Sequence, residues 1–223
     1  MKYLFALFTL ILISGCFTSR LNKFVARQYG NEVPPLLKGR KDEITVTSAD
    51  SFTSNQISTT TTKTTNVLPL LFYWQLDHQI ICTLNPGILV NKFTNTLHID
   101  ARRELTKELN GRKLDLTIEK LPHVFTFNDK EHMIWVILYA FDWQKVAILP
   151  SNNDLVVSYK LLNNDHVVKS GEITVPDNEN KIGLRMFESW KRATSEYLAQ
   201  YNYNIASMSH VFINELAKEL QGI

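Results

Sequence analysis

The sequence predicts an α+β protein folded as a two-layer sandwich: a mostly antiparallel sheet covered on one face by an internal helix and a long carboxy-terminal helix. Three observations predict it. Leu97, Ala101, Leu105 and Leu109 recur every four residues inside the segment from Phe93 to Asn110, the spacing of one helix face. Between Lys113 and Val175, apolar runs with strand character are separated by turn residues. Finally, Trp190, Tyr197, Tyr201, Ile205, Met208, Phe212, Leu216 and Leu220 fall at spacings of three, four and seven, the strongest helical pattern in the chain.

Taken in order, Leu21, Phe24, Val25 and Gln28 suit a short helix ending near Gly30, and Pro34-Pro35 stiffens its exit. Glu43 to Thr47 alternates like a half-buried strand. The Ser/Thr-rich stretch from Ser48 to Thr65 is read as a loop or edge strand at the side of the domain. Leu68 to Leu76, Ile80 to Leu84 and Gly87 to Val90 read as two short buried strands or strand-like segments, the last run following a turn at Asn85-Pro86-Gly87. After the helix from Phe93 to Asn110, stopped by Gly111, Leu114, Leu116 and Ile118 mark a strand. Met133 to Leu149 reads as one long aromatic and aliphatic strand. Leu155 to Leu161 pairs with Val167 to Val175 across Asn163-Asn164-Asp165, a hairpin signal. The last helix starts near Ile182 or Met186.

Composition bounds function more than it defines it. The chain has 223 residues, 24 Lys and Arg against 22 Asp and Glu, a net charge of +2, and 2 cysteines. That balance offers no chain-wide basic field for a phosphate backbone, so no nucleic-acid partner is expected. Two cysteines do not make a disulfide scaffold.

The amino terminus reads as an address. Lys2 precedes an apolar run from Tyr3 to Ile13, too short to span a bilayer, which needs roughly 20 apolar residues. The residues Ile13-Ser14-Gly15-Cys16 resemble the lipobox of bacterial lipoproteins. The resemblance implies removal of a signal peptide at 1–15 and acylation of Cys16, which becomes the first mature residue and anchors the chain in membrane lipid. Phe17 follows, rather than the aspartate that marks inner-membrane retention in enterobacterial lipoproteins, so the resemblance favours the outer membrane of a Gram-negative cell, and the lack of an acidic cluster after Cys16 of the kind that sends some lipoproteins to the cell surface favours its periplasmic face. Residues 16–41 then form a membrane-proximal tether carrying Arg20, Lys23, Arg27, Lys38, Arg40 and Lys41 against the single acid Glu32. Such an excess is either drawn to anionic head groups or simply solvated. Residues 42–65 are the Ser/Thr-rich strand or loop segment, and 66–223 the α+β domain. The element order across about 66 to 221 is similar to that of transport-auxiliary and lipopolysaccharide-assembly lipoproteins.

Chemical motifs are missing from the sequence: no Gly-rich phosphate loop, no Cys-x-x-Cys, no His-Glu-x-x-His and no Gly-x-Ser-x-Gly. No cofactor and no catalytic residue are expected. Cys82, in an apolar string, reads as a small buried hydrophobe. His78 and His166 follow aspartates at expected turns. His123 and His132 would approach each other if Phe125 to Lys130 closed a hairpin, which makes a metal site conceivable, although ordinary structural roles are the preferred reading. Asp77, Asp142 and Asp154 sit near expected strand ends, where turn propensity accounts for them better than a catalytic dyad. Phe72, Tyr73, Trp74, Trp135, Tyr139, Phe141 and Trp143 alternate across strands and do not all enter one core. The preferred reading covers one face with helices and the other with a flanking segment; the alternative is an exposed recognition surface. The functional expectation is a non-enzymatic, lipid-anchored envelope protein, a binding or accessory subunit of a transport or assembly system with an envelope-protein partner. The alternative is an envelope-polymer hydrolase without a recognisable motif.

Overall fold

The structure, a computed structural model, describes residues 17–29, 44–49, 57–70, 72–151, 153–178, 180–184 and 188–221. It is an α+β fold with mostly antiparallel sheets and a long carboxy-terminal helix, as expected, but the strands divide between two sheets. The lipobox string, Lys38, Arg40 and Lys41 lie outside the described residues.

Helix α1 spans 17–29. This is the short helix expected within the membrane-proximal segment, and it packs: Leu21, Val25 and Tyr29 are buried, because their spacing of four puts them on one face. Arg20, Lys23 and Arg27 take the exposed side. Strand β1 (Ile44–Ser48) runs parallel to β4 (Lys113–Lys120). Antiparallel pairing then adds β7 (Leu155–Asn163) and β8 (His166–Val175), giving a four-stranded sheet in the order β1-β4-β7-β8. The second sheet has the order β2-β3-β5-β6-β9, built from β2 (Thr59–Leu70), β3 (Tyr73–Thr83), β5 (Val124–Val136), β6 (Tyr139–Pro150) and β9 (Ile182–Gly183). The Thr-rich segment from Thr59 onward is an edge strand, one of the two forms expected of it.

Three expectations are corrected here. Asn85-Pro86-Gly87 does not turn between strands but opens helix α2 (Pro86–Glu104), so Gly87 to Val90 is helical. The Asn85 side chain accepts the Gly87 amide at 3.0 Å, and proline at the first helical position gives up only an amide that has no helical partner. A short α3 (Thr106–Leu109) follows, and Asn110 and Gly111 end it with positive φ angles of 46° and 79°. Met133 to Leu149 is not one strand but the end of β5, a turn through 137–138 and most of β6. Helix α4 (Trp190–Leu220) begins at its Ser189 cap rather than near Ile182, which lies in β9.

One hydrophobic core joins α1, α2 and α4 to residues of both sheets, including Leu116, Val157 and Tyr159 from the first and Ile80, Phe125 and Phe127 from the second. Every residue of the expected α4 stripe from Tyr197 to Leu220 is buried. The Tyr201 hydroxyl donates to the Pro122 carbonyl and ties α4 to the entry of β5. Core residues on the five-stranded sheet stop at the row Ile80, Phe127 and Ile148, although β3, β5 and β6 continue well beyond it. That continuation forms a finger.

Candidate functional site

The finger consists of two adjacent hairpins, β2–β3 and β5–β6, held in register along β3 and β5. Its inner face is the one carrying Phe127, and its outer face is the opposite one. Residues directly paired across strands share a face. Outward from the core, the inner face passes through the row His78, Asp129 and Val146, then Leu76, Glu131 and Gln144, then Trp74, Met133 and Asp142. The outer face passes through Asp77, Lys130 and Lys145, then Gln75, His132 and Trp143, then Tyr73, Ile134 and Phe141. Polar groups thus dominate the base, and apolar groups dominate the end of both faces.

The covering layers expected for the aromatic set are absent among the described residues. Phe72, Trp74, Trp135, Tyr139, Phe141 and Trp143 are all exposed, as are Leu68, Leu70, Met133 and Val136. At the tip, Ile137 is 91% and Leu138 87% exposed. Within the outer face His132 stacks on Trp143 with ring centroids 5.1 Å apart, and its Nδ1 lies 2.7 Å from the Tyr73 hydroxyl. These contacts stiffen the aromatic cluster without burying it.

Under the inner face, where the finger meets the helices, lies an open cavity of about 490 Å³. Phe17 and Trp190 close its floor, 5.2 Å apart and edge to face, with Phe17 also 5.4 Å from Phe127. His78, Asp129 and Glu131 line its wall. Burial pushes the Asp129 carboxyl above its usual range, countered by hydrogen bonds from Gln144 Nε2 at 2.8 and 2.7 Å and by His78. Glu131 is also raised, by partial burial and then by the charges of Asp129 and Asp142, with His78 opposing. Both Asp129 oxygens accept from one amide, which suits a polar binding wall better than a free base.

The other residues singled out from the sequence are scattered. Asp77 is buried on the outer face and ion-paired with Lys130 at 3.2 Å; Asp142 is on the inner face of the finger, and Asp154 accepts the Asp177 amide at 3.2 Å near the four-stranded sheet. They form no dyad. His78 lies in the middle of β3 and not at a turn, whereas His166 is exposed beside its turn as expected. Phe125 to Lys130 is the interior of β5, which puts His123 and His132 roughly 30 Å apart at about 3.3 Å per residue and rules out a shared metal. His123 and Asp154 line a separate hollow of about 660 Å³ beside β4, β7 and β8. Cys82 is fully buried, and burial pushes its thiol up to about 12, as suits a small hydrophobe.

Sequence reasoning missed Ile137, Leu138, Asp129 and Glu131. The tip was hidden because Ile137-Leu138 carries no turn residue; the carboxylates, because their cavity needs α1 and α4 to close it. Among the described residues no helix is long and apolar enough to cross a membrane. No family model, curated protein or solved structure matches the chain.

Proposed function

We propose that this protein is a lipid-anchored cell-envelope component that binds rather than catalyses, serving as an accessory subunit of an envelope transport or assembly system. The observation that carries the binding role is the finger, whose apolar residues stand in solvent on two faces at once. Exposed apolar surface of this kind marks an interaction site in a natural protein. The anchor is assigned from the string Ile13-Ser14-Gly15-Cys16, directly ahead of α1. In this reading Cys16 is acylated, the chain faces the periplasm from the outer membrane, and the exposed Arg20, Lys23 and Arg27 of α1 lie close to head groups.

Labelled palmitate supplied to cells should enter the protein and be lost in Cys16→Ala. Crosslinked capture should recover envelope transport or assembly components with the acylated chain and lose them with the unanchored one. Absence of label would overturn the anchor, and recovery of nothing specific would overturn the accessory role.

Asp129 and Glu131, raised in one cavity, favour a second reading as a hydrolase of envelope polymers. Under that reading Asp129→Asn or Glu131→Gln abolishes turnover of isolated envelope polymers. Under the binding reading the unaltered protein shows no turnover to abolish.

A further inference from the structure

We infer that the finger end docks into the acyl region of a lipid bilayer, with its tip as the inserting element and its aromatic residues at head-group level. The inference deepens the binding role proposed above but makes no use of acylation at Cys16.

The distribution of apolar side chains selects this occupant. A protein partner that packs flat against a sheet dries only one of its faces. Here Trp74, Met133 and Trp135 emerge on the inner face, Tyr73, Ile134 and Phe141 on the outer face, and Phe72, Ile137 and Leu138 around the end. A surface that is apolar on both faces and at its tip suits a medium that surrounds it. The residue types are also layered: aliphatic Ile137 and Leu138 are outermost, tryptophan and tyrosine lie behind them with one exposed carboxylate, Asp142, in the row of Trp74 and Met133, and Lys130, Lys145, Asp129 and Glu131 lie behind those. Trp and Tyr favour the membrane–water interface, where an apolar body and a polar tip are both accommodated.

Dimensions agree. From Trp135 to Ile137 the hairpin rises roughly 7 Å, well within the about 15 Å of one leaflet of a hydrocarbon core ~30 Å thick, so the tip reaches acyl chains while the tryptophans stay at head-group level. Insertion stays shallow for a backbone reason. Among the described residues β9 pairs only with Ala147 and Ile148 and nothing else pairs with β6 toward the tip, so there β6 is an open edge, as β2 is on the other side, and unpaired backbone groups are not tolerated deep in hydrocarbon. Pro69 removes one donor from the β2 edge at this level.

The turn itself carries a second, independent sign. Ile137 has a φ of 54°, in the left-handed region that turns of this length fill with glycine, asparagine or aspartate. The hairpin between β7 and β8 follows that preference, with Asn164 and Asp165 at φ 49° and 64°. At the finger tip a β-branched residue holds the strained position and leaves its side chain in water. Strain maintained where it brings no packing indicates a side chain kept for contact with something outside the chain.

The test uses the chain from residue 16 onward with Cys16→Ala, which retains every described element and carries no acyl group. Its probe is phosphatidylcholine vesicles, some with brominated acyl chains. The expected result is co-sedimentation that persists from low to high salt, since apolar insertion is not screened. Fluorescence of the finger tryptophans should be quenched by the brominated lipid. The double substitution Ile137→Asp with Leu138→Asp should weaken binding by about tenfold or more, equivalent to about 1.4 kcal/mol, while circular dichroism confirms an unchanged fold. Ile137→Gly, which eases the turn, should weaken it in the same direction. Three results would each overturn the inference: no binding by the intact chain, binding lost at high salt, or equal binding by the double variant. A concentration-dependent dimer broken by the double substitution, without vesicle binding, would instead assign the finger to a second copy of the chain. Palmitate labelling of Cys16 is unaffected by any of these results, so the anchor and the finger fail separately.

Discussion

At Ile137 a β-branched side chain occupies φ 54°, a conformation that costs such residues about 1–3 kcal/mol. Ile137→Gly is therefore expected to raise the unfolding free energy by about 1 kcal/mol in chemical denaturation, while lowering vesicle affinity. Opposite signs in stability and binding are the signature of a residue retained for contact; a loss of stability would show that the turn is unstrained. Glu131 makes a second residue-level prediction. Its carboxyl is raised by burial and by Asp129 and Asp142. A raised folded pKa contributes stability fully below the ordinary carboxylate value, about 4, and loses it as pH rises through the folded value. Stability should decline from that pH toward neutrality, and less steeply in Glu131→Gln; identical slopes in a denaturation series would count against the shift.

Two elements depend on single residues whose roles become visible only in context. In α2, Asn85 caps the helix and its own amide donates to Ser58 Oγ at 3.0 Å, fixing the helix start against the chain that enters β2. Asn85→Ala should cost about 1 kcal/mol, with Asn85→Ser recovering most of it. In β8, Gly171 lies opposite Tyr159 of β7, and a Cβ there would sit 2.8 Å from Tyr159 Cε1 and 2.9 Å from its hydroxyl oxygen. That ring is buried, with its hydroxyl 3.4 Å from Glu219 Oε2, while Lys169 pairs with the same carboxylate at 3.2 Å. Gly171→Ala should displace the ring and loosen the end of α4, at a cost of about 1–3 kcal/mol measured by thermal or urea unfolding. A neutral result would mean that Tyr159 has room to move.

Across the whole molecule the chain alternates between the two sheets. Strand β1 lies in one, β2 and β3 in the other, β4 in the first, β5 and β6 in the second, β7 and β8 in the first and β9 in the second. Each passage stitches the layers through one core, and α1 belongs to that core. Leu21→Ala should therefore destabilise the entire protein by about 2–5 kcal/mol in a single transition; a separate, weaker transition for α1 would return it to the role of a tether. The α+β class, the α4 stripe, the Asn164-Asp165 hairpin and the burial of Cys82 were all legible in the sequence, because each rests on local periodicity, turn chemistry or apolar context. The start of α2 was not, since Asn-Pro-Gly serves a turn and a helix cap equally well until the chain beyond it is placed. The division into two sheets, the cavity wall of Asp129 and Glu131 and the exposure of the aromatic finger were decided by tertiary structure alone. Strand partnership and solvent exposure are properties of distant pairs, and an apolar run such as Trp135 to Phe141 has the same pattern whether helices cover it or leave it in water.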